Sequence, residues 1–168
     1  MESNPPTQKF FVFEFFSGIG GMHQALKNIS TPYSKIEIVH IFPFDINPNA
    51  NSTYFHVFGV KPNEISIENF SLQEYTSLCK KYVNVFTNII WVMSPPCQPF
   101  TRLGNQKDLM DPRSKAFIHI LKLLKEIDVS FLPEYLLLEN VKNFEVGNYK
   151  IKNIIHNLIY RIQMLARS

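Results

Sequence analysis

The sequence predicts an α/β domain with a mostly parallel sheet. The first observation is alternation. The apolar runs Phe10–Phe15, Ile36–Phe42, Ile89–Met93 and Tyr135–Leu138 are separated by segments with helical spacing. The second is where the unusual residues fall. Gly18, Gly20 and Gly21 follow the first run, Asp45 the second, a Ser-Pro-Pro-Cys-Gln-Pro loop the third, and Glu139 the last. In an open α/β sheet the carboxyl ends of the strands are where ligands bind.

A length of 168 residues suits one domain. With 45% hydrophobic and 18% charged residues the chain can build a substantial core, and disorder is not expected. Fifteen Phe and seven Tyr make that core aromatic. A net charge of +3 and a pI near 8.8 permit a nucleic-acid partner without demanding one. The cysteines are Cys79 and Cys97, so neither a disulfide framework nor a paired metal motif is in view, and a reducing compartment is expected. Residues 1–9 read as a flexible polar lead with two prolines and without the apolar run of a signal peptide. No apolar run approaches the roughly 20 residues of a membrane span. The expected protein is soluble and intracellular, cytoplasmic and also nuclear.

Each element has a local reason. The run Phe10–Phe15 is aromatic and β-branched, as strands are. Phe16-Ser17-Gly18-Ile19-Gly20-Gly21 follows, and Met22–Lys27 reads as a helix. Strand, glycine loop and helix bring backbone N–H groups close to a nucleotide-like ligand. The spacing is not G-x-G-x-x-G, which disfavours a dinucleotide. An ordinary tight turn is the competing reading. The second strand runs to Asp45, which either accepts bonds from a ribose diol or simply opens the next helix; the glycine loop beside it favours the ribose. Asn47 and Pro48 are the N-cap and first residue of that helix. The stretch 59–70 is weakly patterned, with a short third strand expected at Asn63-Glu64-Ile65. Ser71 and Glu74 form a capping box for a helix to about Lys81, on which Cys79 is structural. Phe117, Ile120, Leu121, Leu124 and Ile127 make the core face of a helix over Ser114–Ile127. A last helix is expected from Ile151 to Leu165.

The Ser94–Gly104 loop holds the sharpest question. Its prolines remove ladder donors, end the strand and leave Cys97 on a stiff turn. A reactive cysteine needs thiolate character and access. No His or Lys is its sequence neighbour, so activation has to come from the fold or the substrate. A lone cysteine is more often a buried structural residue. The rigid loop favours a nucleophile instead.

Three stretches now stand together: Phe15-Phe16-Ser17-Gly18-Ile19-Gly20-Gly21, Pro95-Pro96-Cys97-Gln98 and Glu139-Asn140-Val141. In type and order they resemble the cytosine-C5 methyltransferase family. Gly20-Gly21-Met22-His23, Ser94–Arg102, Leu138–Lys142 and Phe144-Glu145-Val146 are similar to the branch that methylates a cytosine in the anticodon loop of aspartate tRNA. The resemblance covers most of residues 10–150. It implies a Rossmann-like, S-adenosylmethionine-dependent methyltransferase fold, with S-adenosylhomocysteine as product. It implies that Cys97 adds to cytosine C6, so that C5 becomes nucleophilic. Glu139, as a carboxylic acid, would serve N3 and the exocyclic amine, while Pro95 and Pro96 hold the loop. The base must leave its stack to react, and an unpaired loop base costs less to extract. By the same resemblance Phe16, Gly18, Ile19, Gly20 and Gly21 line the methionine moiety, Asp45 binds the ribose, Ile67 and Glu68 lie on the adenine side, and Ser94 faces the cofactor. Arg102 and Arg113 are candidate phosphate contacts or solvated surface.

The family's later strands, base-side arginine and target-recognition domain are not visible. The expectation is therefore a truncated catalytic domain over 10–168, with an uncovered sheet edge prone to self-association. The partner is tRNA or, on the rival reading of the same chemistry, DNA. A second rival is a non-catalytic chain that binds cofactor or nucleic acid, or modulates a longer partner.

Overall fold

The computed structural model describes residues 7–30, 34–82, 88–96 and 114–140. Its centre is β1 (Gln8–Phe15), which pairs in parallel with β2 (Ile36–Phe44) on one side and β3 (Asn88–Met93) on the other. The strand β4 (Tyr135–Leu138) adds in parallel to β3, giving the order β2-β1-β3-β4. The chain thus leaves β1 in one direction and returns to its other side. That reversal opens a crevice at the carboxyl ends of β1 and β3.

A strand buried on both faces must be apolar throughout. In β1, Phe11, Phe13 and Phe15 face a core cluster with Trp91, Tyr75 and Phe117. Val12 faces a smaller one with Leu26, Ile41 and Val92. Burying each such aromatic or aliphatic side chain stabilises the fold by about 1.5–3 kcal/mol. Gln8 and Lys9 are exposed at the start of β1, and its buried polar exception is Glu14, 1% exposed.

The helices divide between the faces. On one lie α1 (Gly21–Ile29), through Leu26, and α2 (Pro48–Phe58), through Tyr54 and its bond to Glu14. On the other lie α3 (Leu72–Tyr82) and α4 (Lys115–Glu126). The local signals hold. Asn47 accepts from the N–H groups of Asn49 and Ala50 at 3.0 and 3.3 Å, with Pro48 first in the helix. The capping box closes: Glu74 N–H donates to Ser71 Oγ at 3.2 Å, and Glu74 Oε2 accepts from Ser71 N–H at 2.7 Å. Phe117, Ile120, Leu121, Leu124 and Ile127 are all buried. So is Cys79, whose thiol burial pushes up to about 11, which suits a structural residue.

The expected third strand shrinks to one parallel bridge, Phe44 to Asn63. Asn63 N–H donates to the Pro43 carbonyl at 2.8 Å. The next parallel bond would run from Ile65 N–H to the Asp45 carbonyl, but Ile65 N–H donates to Asn63 Oδ1 at 3.0 Å and the Asp45 carbonyl accepts from Asn51 Nδ2 at 2.8 Å. β1 begins at Gln8, two residues before the aromatic run. The expected helix over 151–165 and the loop 97–113 lie outside the described residues.

Candidate active site

A cleft of about 500 Å³ opens at the carboxyl ends of β1, β2 and β3. Its walls are Phe16 and Gly18 after β1, Asp45 and Ile46 after β2, Ser66, Ile67 and Glu68 on a short 3-10 turn, Ser94 and Pro96 after β3, and Ala116 at the start of α4. Six of the nine residues assigned to a cofactor from sequence are therefore together: Phe16, Gly18, Asp45, Ile67, Glu68 and Ser94. Ile46, Ser66 and Ala116 were not assigned from sequence, and Pro96 was assigned only to hold the loop. Ile46 was findable as the neighbour of Asp45, whereas Ala116 carries no local signal and arrives by tertiary packing. The other three, Ile19, Gly20 and Gly21, are not among the lining residues. Ile19 is 66% exposed.

The loop is held by its backbone. Ser17 N–H donates to the Phe44 carbonyl at 3.0 Å, and Gly20 N–H to the Ser17 carbonyl at 2.9 Å. Phe16 has φ 58°, a conformation that costs a bulky residue on the order of 1 kcal/mol and marks functional turns. Gly20 has φ 92°, and a Cβ there would run into the Phe58 ring. Gly20 thus has a packing reason as well as a conformational one.

Asp45 is fixed from two sides. Its Oδ2 accepts from Gly18 N–H and its Oδ1 from Asn47 N–H, both at 2.8 Å. A carboxylate has about four acceptor positions, so each oxygen keeps one beyond these bonds.

At the carboxyl end of β4, and not among the residues lining the cleft, Glu139 is exposed. Its N–H donates to the Met93 carbonyl at 2.9 Å, extending the sheet by one bond. Asn140 Nδ2 donates to the Pro95 carbonyl at 3.1 Å. The Glu139-Asn140 corner is thereby tied to the proline loop that leads into Cys97. Cys97, Arg102 and Arg113 themselves lie outside the described residues.

Behind the loop sits a buried polar group that the sequence did not announce. Glu14 Oε2 accepts from the Tyr54 hydroxyl at 2.6 Å, and Oε1 from the His23 backbone N–H at 3.1 Å. The Tyr54 hydroxyl also lies within hydrogen-bond reach of His23 Nδ1. Burial pushes the Glu14 carboxyl up to about 7. Burial, with the Lys27 charge beside it, pulls His23 down to about 4.

Among the described residues no group of three or more His, Cys, Asp or Glu is placed to hold a metal, and no helix is long and apolar enough to cross a membrane. Comparison with known proteins gives this geometry a family. A tRNA (cytosine(38)-C(5))-methyltransferase of Schizosaccharomyces pombe is 41% identical over 93% of this chain and 43% of its own. A DNA (cytosine-5)-methyltransferase of Dictyostelium discoideum is 43% identical over 79% of this chain and 31% of its own. The crystal structure of the S. pombe Dnmt2 methyltransferase superposes with a TM-score of 0.65 at 38% identity, over 90% of this chain and 41% of that one. The chain spans less than half the length of these relatives. The C-5 cytosine-specific DNA methylase family model matches residues 10–161, and the chain belongs to that family.

Proposed function

We propose that this chain carries the cofactor cleft and the nucleophile of an enzyme that methylates C5 of cytosine in the anticodon loop of tRNA, acting in the cytoplasm and nucleus. The observation that carries the reading is the cleft at the strand-end crevice, with Asp45 in its wall and one acceptor position left over on each carboxylate oxygen. S-adenosylmethionine fits the donor set. The free positions on Asp45 suit the two hydroxyls of a ribose. Glu68 suits a cationic ligand, Ser66 and Ser94 add polar contacts, and Phe16, Ile46, Ile67 and Pro96 supply apolar wall. The volume falls within the range of small-molecule sites, roughly 300–1,000 Å³. Bound there, the cofactor supplies a methyl group activated by a sulfonium centre.

The chain's own residues do the rest. The Cys97 thiolate adds to C6 and forms a C–S bond, moving electron density onto C5. Glu139 bonds N3 and the exocyclic amine as charge develops on the ring. After methylation, loss of the C5 proton expels the thiolate and restores the aromatic base. The bond from Asn140 to Pro95 supports this division, because it couples the carboxylate corner to the nucleophile loop.

The test is a tRNA carrying 5-fluorocytosine at the target position, offered to a form of the enzyme that transfers methyl groups. The fluorine blocks the final elimination, so a covalent protein–tRNA adduct should accumulate. Cys97→Ala should abolish it and Cys79→Ala should not. An adduct that survives Cys97→Ala would remove the assignment. A second reading, the same chemistry on DNA, is favoured by the Dictyostelium relative. Preferential trapping on a 5-fluorocytosine DNA duplex would establish it.

A further inference from the structure

We propose that Glu14 and Tyr54 are positioning residues for the cleft: their hydrogen-bonded chain clamps α1 and α2 together behind the glycine loop and so holds Gly18 and Asp45 in the geometry that a ligand meets. This rests on the cofactor reading above. Neither residue lines the cleft. Each acts through others.

The mechanical path is short. On α2, Asn51 and Tyr54 lie one helical turn apart and both are buried. Tyr54 donates to Glu14 on β1 at 2.6 Å. Asn51 Nδ2 donates to the Asp45 carbonyl at 2.8 Å. Asp45 in turn holds the Gly18 N–H. The helix α2 therefore grips both strands that flank the loop, β1 through Glu14 and the end of β2 through Asp45. The same helix ends in Phe58, which packs on Gly20 and stacks on the His23 ring at a centroid distance of 4.1 Å. A shift of α2 must move Asp45 and the loop together.

The chemistry of Glu14 is what singles it out. A buried carboxyl is costly, and an apolar side chain packs as well at such a position. The neighbouring strands place Pro43 and Val92 level with it, neither a charge partner. What a carboxyl offers there is direction: two acceptor oxygens aimed at two different helices. One takes the N–H of the third residue of α1, a donor that the helix itself leaves unpaired. The other takes the Tyr54 hydroxyl.

The test compares wild type, Tyr54→Phe, Glu14→Gln and, as a stability control, Ser71→Ala, whose cap belongs to α3. Calorimetry with S-adenosylhomocysteine should show Tyr54→Phe binding roughly tenfold more weakly, about 1.4 kcal/mol. Glu14→Gln retains an acceptor for His23 N–H and a donor for the Tyr54 oxygen, so it should bind close to wild type. Ser71→Ala should bind as wild type does. Amide hydrogen exchange without ligand should show faster exchange at Gly18 and His23 in Tyr54→Phe, with Phe13 and Trp91 unchanged. Unchanged exchange at Gly18 overturns the proposal. So does unchanged affinity in a protein that binds the ligand. If the wild type does not bind S-adenosylhomocysteine, the cofactor reading fails, and the exchange measurement alone decides the positioning role.

Discussion

Replacing Glu14 with Gln removes one of two buried titrating groups and leaves the other, so it should tilt the pH dependence of stability. Glu14 faces His23 from α1, with Lys27 beyond it over the Phe58 ring, and Tyr54 from α2. Although Glu14 Oε2 and His23 Nδ1 are 3.9 Å apart, their shifts run against an ion pair. The Glu14 carboxyl rises from 4.5 to about 7. Its stabilising contribution is therefore complete below pH 4.5 and lost as pH climbs through 7. A rise of that size corresponds to about 3 kcal/mol. His23 falls from 6.5 to about 4. Its contribution is present above pH 6.5 and lost as pH drops through 4. In the wild type the two slopes oppose each other between these values. Glu14→Gln leaves the His23 slope alone. The stability of the variant minus that of wild type should rise by about 3 kcal/mol from acid to mildly alkaline pH, favouring wild type or neither at the acid end. Urea unfolding followed by circular dichroism at several pH values measures it. A difference that stays constant with pH would mean that Glu14 binds its proton equally in both states, and the burial argument would be wrong.

Gly20→Ala should lower stability by about 2–4 kcal/mol, from the positive φ and the collision with Phe58. Gly18→Ala, with φ 52° and open space around the new Cβ, should lose only about 1–2 kcal/mol; equal losses in thermal melts would contradict the packing role of Gly20. Ser71→Ala should lose about 1 kcal/mol as the capping box opens, read from the same melts. Tyr135 and Leu137, 52% and 49% exposed on one face of β4, give this strand an apolar outer surface among the described residues. The chain should associate with itself in sedimentation runs and Leu137→Lys should shift it toward monomer; a wild type that stays monomeric at high concentration would remove that expectation.

The sequence by itself determined the elements and the edge of the sheet that carries chemistry. Parallel strands buried on both faces read as nearly continuous apolar runs, so Phe10–Phe15 and Ile89–Met93 could be read directly; Tyr135–Leu138 was legible as a short apolar run although one of its faces stays exposed. Caps work across three residues, so Asn47 and the Ser71–Glu74 pair were legible too. Strand-end position put Gly18, Asp45 and Ser94 near one another before any coordinate was known. Tertiary structure decided what depends on partners far along the chain. Glu14 looks like one more residue in an aromatic strand, since the groups that define it, His23 and Tyr54, lie 9 and 40 positions on. Gly20 looks like any cofactor-loop glycine until Phe58 is seen against it. The third strand stops at one bridge because Ile65 N–H turns to Asn63 Oδ1 and Asn51 Nδ2 takes the Asp45 carbonyl, partners that neither segment shows alone. Periodicity and capping are properties of neighbours in sequence. Which side chain fills the space beside a loop is set only when the sheet has closed and its helices have packed.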